Sequence, residues 1–262
     1  MNFSKVLNFR EVSSLHLRTS FIHHSKNDYF MRLAIMQPYF MPYIGYLQLM
    51  NAVDKFVLYD DVNYINKGWI NRNRILVNGQ EYLFTIPLKD ASQNKLINEI
   101  YLSNDPKWKG KLLKTIEQGY KKAPFYLTAF EVTEKIINFD AEKLSDWIAA
   151  SFGVLADHLS IKTKIVPSSA IYQNTHLKAQ ERILDICLQE KAQHYINPIG
   201  GMELYDKTVF EEKGIRLNFI KSKPVAYAQF KNEFVPWLSV IDILMFNEVV
   251  DIQQFLNEYE LV

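Results

Sequence analysis

Only one of the 262 residues, Cys187, is a cysteine, so an internal disulfide and a cysteine-built zinc site are both excluded and a reducing compartment is indicated. An excess of charge of either sign is also missing. The formal net charge is +1, which gives no global field for nucleic acid, so an anionic ligand must be met by a local cluster. No apolar run approaches the roughly 18 residues that a membrane span needs, and residues 1–30 lack the apolar middle of a signal peptide. These absences place the chain in the cytoplasm with a small-molecule partner, no nucleic acid and no membrane span. There is no GxSxG elbow for a serine hydrolase and no HExxH metal site, and the histidines are scattered. No metal ligand set is predicted, and the cofactor stays unknown.

What is present supports a well-buried core, since 48% of the residues are hydrophobic and 23% charged. Residues 1–30 show no sustained period, and a second methionine, Met31, stands just before the first apolar run. They are expected to be a disordered extension, with the native start at Met31. The adjacent His23 and His24 have no third ligand nearby and are expected to belong to a solvated tail.

From Met31 the sequence alternates strand and helix signals. Leu33 to Met36 reads as a short buried strand, Gln37-Pro38-Tyr39-Phe40-Met41-Pro42-Tyr43 as a loop, and Ile44 to Met50 as a helix. Phe56 to Tyr59 is a second strand, spaced from the first as in a parallel crossover. Ile75–Val77 and Tyr82–Ile86 flank Asn78-Gly79, a hairpin signal, and this hairpin is expected to join the sheet. Residues 105–160 read as helices, beginning near Asp105-Pro106 with Trp108, Leu112, Ile116 and Tyr120 on one face. Strands then return at Lys164–Val166, Tyr195–Ile196 and Ile215–Ile220. The predicted class is α/β, with a mixed, largely parallel sheet, flanking helices, one antiparallel hairpin and a helical insertion at about 105–160, all in one domain over 31–262.

Three clusters are candidates for a site. The loop after the first strand offers Gln37, Tyr39, Tyr43, Gly45 and Tyr46; tyrosine faces suit a sugar or a base, and a glycine at a helix start lets amides approach phosphate. The second strand ends in Asp60-Asp61, followed by Lys67, Trp69, Asn71, Arg72, Asn73 and Arg74. There a carboxylate can serve as general base while the cations hold anionic oxygens, although in a strand Asn71 and Asn73 face away from Arg72 and Arg74. The third is Asn197-Pro198-Ile199-Gly200-Gly201, running on to Tyr205 and Asp206, a turn whose free amides could seat an anion but which lacks the P-loop ending and the GxGxxG spacing. A further cluster, Gln229, Phe234, Pro236 and Ser239 to Asp242, reads as an ordered loop entering a helix, with Ser239 and Asp242 in a capping-box pattern and Asp242 also a site candidate.

Taken together, AIMQPYFMPYIGYLQLMNAVDKFVLYDDVNYINKGWINRNRIL, YINPIGGMELYD, GIRLNF and FVPWLSVIDILMFN resemble the WbqC-like family of bacterial proteins, over nearly all of residues 31–262. The resemblance implies a cytoplasmic tailoring enzyme of surface-polysaccharide (O-antigen) biosynthesis, a transferase that passes glycine or another acyl group to a sugar or nucleotide sugar. On that expectation Asp60 or Asp61 is the catalytic base and the other candidates bind substrate. Tyr43-Ile44-Gly45-Tyr46 is also similar, more distantly, to the HxGH turn of nucleotidyltransferases using ATP or CTP with magnesium. Tyrosines replace both histidines there, and a phenol with a pKa near 10 does not carry the transferable proton of histidine. A non-catalytic scaffold of polysaccharide assembly is the third alternative.

Overall fold

The computed structural model describes residues 30–262 with the exception of 106 and 232. The expected disordered tail, its His23-His24 pair and the placing of Pro106 at a helix start fall outside the described residues.

The chain begins with β1 (Arg32–Met36), α1 (Ile44–Asn51) and β2 (Lys55–Leu58). It continues through the hairpin β3 (Arg72–Val77) and β4 (Gln80–Thr85), then the short antiparallel pair β5 (Leu88–Lys89) and β6 (Tyr101–Leu102). Three helices follow, α2 (Lys107–Tyr120), α3 (Tyr126–Asn138) and α4 (Leu144–Leu159). The sheet is completed by β7 (Lys164–Val166), α5 (Ala179–Gln189), β8 (His194–Pro198), α6 (Lys207–Glu211) and β9 (Arg216–Ser222), and the chain closes with α7 (Val240–Phe246), α8 (Val249–Phe255) and β10 (Tyr259–Leu261). The architecture is α/β.

From one edge the six-stranded sheet runs β7-β2-β1-β8-β9-β10, parallel except for β10. Numbered along the chain, that is the order 3-2-1-4-5-6 of doubly wound sheets, in which the connections reverse direction beside the first strand. Strand alternation divides the core. Leu33, Ile35 and Val57 pack with Ile183, Ile186, Phe210 and Tyr195 on one face, whereas Ala34, Phe56 and Leu58 pack on the other with α1, α4 and the hairpin.

The hairpin turns where expected, with Asn78 and Gly79 both at positive φ (54° and 75°). It does not join the large sheet, however, and forms a separate two-stranded sheet. The reason is visible in its contacts: Ile75, Leu76 and Phe84 are buried against the helical cluster, and Leu76 N–H donates to the Tyr120 hydroxyl at 2.8 Å, so α2 covers the hairpin on the side where a sheet neighbour would lie.

Within α2, a methyl group on Gly119 would run into the carbonyl oxygen of Leu76, whereas nothing lies within 4 Å of the same position on Gly110. Gly119→Ala is therefore expected to destabilise by about 1–3 kcal/mol despite the better helix propensity of alanine, and Gly110→Ala to stabilise by up to about 1 kcal/mol. Urea denaturation of the two variants reads the difference; equal effects would remove the close approach from the account.

Candidate functional site

The loop after β1 is held in place from three sides. Its backbone takes Phe40 N–H to Ile70 O at 3.0 Å, and Met41 stands at a positive φ of 43°. The Met41 carbonyl oxygen accepts Asn73 Nδ2 at 2.7 Å and Ser239 Oγ at 2.6 Å, and Pro42 O accepts Val240 N–H at 2.8 Å. Below it, Phe40 stacks on Trp147 at 4.1 Å, and Tyr46, itself stacked on Phe152, donates to Gln37 O at 2.9 Å. The unusual run of aromatics and prolines is thus half core and half surface: Phe40, Met41 and Tyr46 are inside, while Tyr39 and Tyr43 are only partly covered.

Those two tyrosines form one wall of a cavity of about 210 Å³, with Pro42, Trp69, Asn73, Arg74 and Trp237 completing it. Trp69 and Trp237 are 43% and 56% exposed, which is high for indoles. Tyr43 meets Trp237 edge to face at 5.7 Å. Arg72 and Arg74 lie over the Trp69 ring, at 5.6 and 5.5 Å from its centre. Arg74 donates Nη1 to Glu81 at 2.6 Å and Nη2 to Trp237 O at 3.5 Å, yet its Nε is buried with no hydrogen-bond partner. Burial raises the pKa of Tyr39 and Tyr43 above the ordinary 10.0, so both phenols are neutral donors at physiological pH.

A second concavity, of about 350 Å³, opens at the carboxyl ends of β1 and β8, where the strand order reverses. Met36, Gln37, Tyr59, Asn197, Gly201 and Tyr205 line it, and it is mostly apolar. The predicted candidates accordingly divide between two places. Tyr39, Tyr43, Trp69, Asn73 and Arg74 come together in the aromatic pocket; Gln37, Gly200, Gly201 and Tyr205 come together in the crevice.

Others have local tasks. Gly45 leaves room for the Tyr43 ring and the Ser222 hydroxyl, and Gly201 leaves room for the Asn197 amide, so packing accounts for both glycines. Asn71 accepts from the Tyr64 hydroxyl and donates to Ile86 O, both at 2.8 Å, and Asn73 faces inward beside it, while Arg72 and Arg74 point outward as strand alternation requires. Lys67 is an exposed turn residue at positive φ whose carbonyl oxygen accepts from Arg72. Asp206 caps α6 by accepting Thr208 N–H at 2.9 Å.

The two carboxylates at the end of β2 are 2% and 5% exposed. Asp61 is spent on both oxygens, one in an ion pair with the buried Arg182 and the other accepting from Ser169 Oγ. Asp60 accepts Ser168 Oγ at 2.7 Å and Ser169 N–H at 3.1 Å, and burial raises its pKa against those bonds. Neither carboxylate lines the aromatic pocket or the crevice, which bears directly on the expectation that one of them is an open general base. Among the described residues no group of three or more His, Cys, Asp or Glu is placed to hold a metal ion.

Sequence reading did not find Trp237 or Arg182. Trp237 sits in an irregular segment with no spacing to betray it, and Arg182 is one polar residue on an otherwise ordinary amphipathic helix. Asp242 was read as part of a capping box; Ser239 does cap α7 by accepting Ile241 N–H, but Asp242 turns inward to Tyr120, Tyr227 and Gln229 instead.

Comparison with known proteins gives a match between residues 37–254 and the model of the WbqC-like protein family. An uncharacterized protein of Mycobacterium tuberculosis is 25% identical over 230 residues, 81% of this chain and 92% of that protein. No solved structure matches the chain. No helix among the described residues is long and apolar enough to cross a membrane.

Proposed function

The chain belongs to the WbqC-like protein family, and we propose that it is a cytoplasmic transferase, folded as one domain over 31–262, that passes an acyl or aminoacyl group to an anionic sugar or nucleotide sugar in surface-polysaccharide biosynthesis. The observation that carries this reading is the aromatic pocket with the Arg74 side chain on its wall. Flat aromatic faces pack against the C–H faces of a sugar ring, and a guanidinium at the pocket wall suits a phosphate or carboxylate oxygen.

With a thioester as donor, the acceptor amine of the sugar attacks the acyl carbon. The carbon–nitrogen bond forms as the carbon–sulfur bond breaks, and the amine proton ends on the departing thiolate. The protein's contribution is to hold the acceptor: Tyr39, Tyr43, Trp69 and Trp237 position the ring, and Arg74 holds the anionic group. Asp60 and Asp61 support the end of β2 from behind, and no proton transfer is assigned to them.

Of the four tryptophans in the chain, Trp108 and Trp147 are buried, so the emission that responds to added ligand comes from Trp69 and Trp237. A panel of nucleotide sugars and sugar phosphates is expected to quench it saturably, and Arg74→Gln to weaken that binding by roughly 30-fold, the equivalent of a charge-assisted hydrogen bond of about 2 kcal/mol. A panel without any saturable response would remove the reading. The nucleotidyltransferase alternative is favoured by a different observation, the crevice where the strand order reverses, a place where doubly wound sheets bind nucleotides. A response to ATP with magnesium alone would promote it.

A further inference from the structure

On the far side of Tyr43 and Trp237 lies another, smaller cavity of about 80 Å³. It shares those two residues with the aromatic pocket, but its chemistry differs. Ile44, Val225, Phe234, Leu238 and Ile243 supply its walls, together with Pro224, Pro236 and the ring of Tyr227. Among the described residues the one charged side chain on it is Lys223, half exposed at the surface and 3.9 Å from Glu258.

The walls are well supported. Leu238 and Ile243 are 3% exposed each, and Tyr227 is fixed by donating to Asp242 at 2.7 Å. Gln229 clasps the same segment, accepting Val235 N–H at 2.7 Å and donating to Val235 O at 3.1 Å. The small volume therefore reflects packed walls and not a gap between loose loops. A site of this size takes roughly six water-sized groups, counting about 10–15 Å³ of the space open to a water's centre for each.

We infer that this cavity is a binding site for a short aliphatic acyl group, lying beside the sugar pocket with the Tyr43–Trp237 pair between them. The inference rests on the transferase reading and deepens it, because it names the donor's transferred part. Two adjoining pockets of unlike chemistry, one aromatic with a cation and one apolar and small, match the two halves of an acyl transfer, and the residues they share, Tyr43 and Trp237, set them side by side. The size argues against a long fatty chain, and the apolar lining argues against a free amino group inside it.

The two pockets can be read separately in one spectrum. Ile44, Val225, Leu238 and Ile243 carry methyl groups on the small cavity, whereas the aromatic pocket has no Ile, Leu or Val in its lining among the described residues and is reported by the Trp69 indole. The full chain with labelled methyl groups would be titrated with acetamide, butyramide and octanamide as uncharged acyl probes. Butyramide is expected to shift those four residues' methyl signals saturably and to bind about tenfold more tightly than acetamide, with no further gain for octanamide and no shift at Trp69. Val225→Trp, at a partly exposed loop position, is expected to abolish the methyl shifts at an unchanged melting temperature.

No saturable shift for butyramide, affinity that keeps rising to octanamide, or shifts that survive in a folded Val225→Trp chain would each overturn the acyl site. Failure of the transferase reading has a different signature: methyl shifts with butyramide but no response of Trp69 to any nucleotide sugar.

Discussion

Asp61→Ala lowers the unfolding free energy by about 3–5 kcal/mol and the melting temperature by roughly 10 °C, an effect on stability and not on chemistry. Asp61 and Arg182 are side chains 3% and 5% exposed, and their ion pair is enclosed. The guanidinium also donates Nε to Asn174 Oδ1 at 2.9 Å and Nη1 to Asp61 O at 3.3 Å, and it lies over the Tyr59 ring at 4.9 Å. Removing the carboxylate leaves a charge out of water with neutral partners only, which is the costly way to break a buried pair. Replacing both members with apolar residues, Asp61→Leu with Arg182→Met, is expected to recover most of the loss, because the desolvation of both ions is then avoided. Thermal melts of the two single variants and the double variant close the cycle; purely additive losses would show that the pair is not coupled. One practical consequence concerns activity assays. A loss of turnover in an Asp61 variant says nothing about a base until the folded fraction has been measured.

A second large effect is expected at Asp242, which is fully buried. Its two oxygens accept from the Tyr120 hydroxyl, the Tyr227 hydroxyl and Gln229 Nε2, each at 2.7 Å. Asp242→Ala leaves three buried donors without an acceptor, at about 1–3 kcal/mol each before any water enters, so a total loss on the order of 4 kcal/mol is expected. The pH dependence has a definite sign. Burial raises the pKa of Asp242 above its ordinary 3.8, against the lowering effect of the three donors. A raised pKa means that the folded chain holds the proton where the unfolded chain has released it. That stability is fully present below the unfolded pKa and is lost as pH rises through the folded one. The advantage of the native chain over Asp242→Ala in urea denaturation should therefore shrink as pH rises above the ordinary 3.8. A constant or growing difference would contradict the raised pKa. The same variant should loosen the segment that carries Trp237, since Tyr227 and Gln229 tie that segment to the core through this carboxylate.

Local signals were read correctly where neighbours in sequence are neighbours in space. The buried face of α2 (Trp108, Leu112, Ile116, Tyr120) follows from helical spacing, the turn at Asn78-Gly79 from residues that tolerate positive φ, and the start of β1 from four apolar residues before a loop. The alternation of Asn71, Arg72, Asn73 and Arg74 was legible for the same reason, a period of two along a strand. The hairpin's failure to join the sheet was not, because it depends on α2 covering it, with Tyr120 reaching Leu76 from 44 residues later.

Composition, spacing and motif by themselves determined the α/β class, the aromatic loop after the first strand, the exclusion of an internal disulfide and the family to which the chain is similar. Only the tertiary structure decided which candidates share a surface. It sent Asp61 into a pair with Arg182, 121 residues away, and Asp242 to a tyrosine 122 residues away, and it brought Trp237 to a pocket begun by Tyr39 and Trp69. The physical reason is that a carboxylate or an indole reads the same in sequence whether it faces solvent, a ligand or a buried partner. What separates these fates is the desolvation it undergoes and the donors that packing sets beside it, and those are supplied by distant parts of the chain.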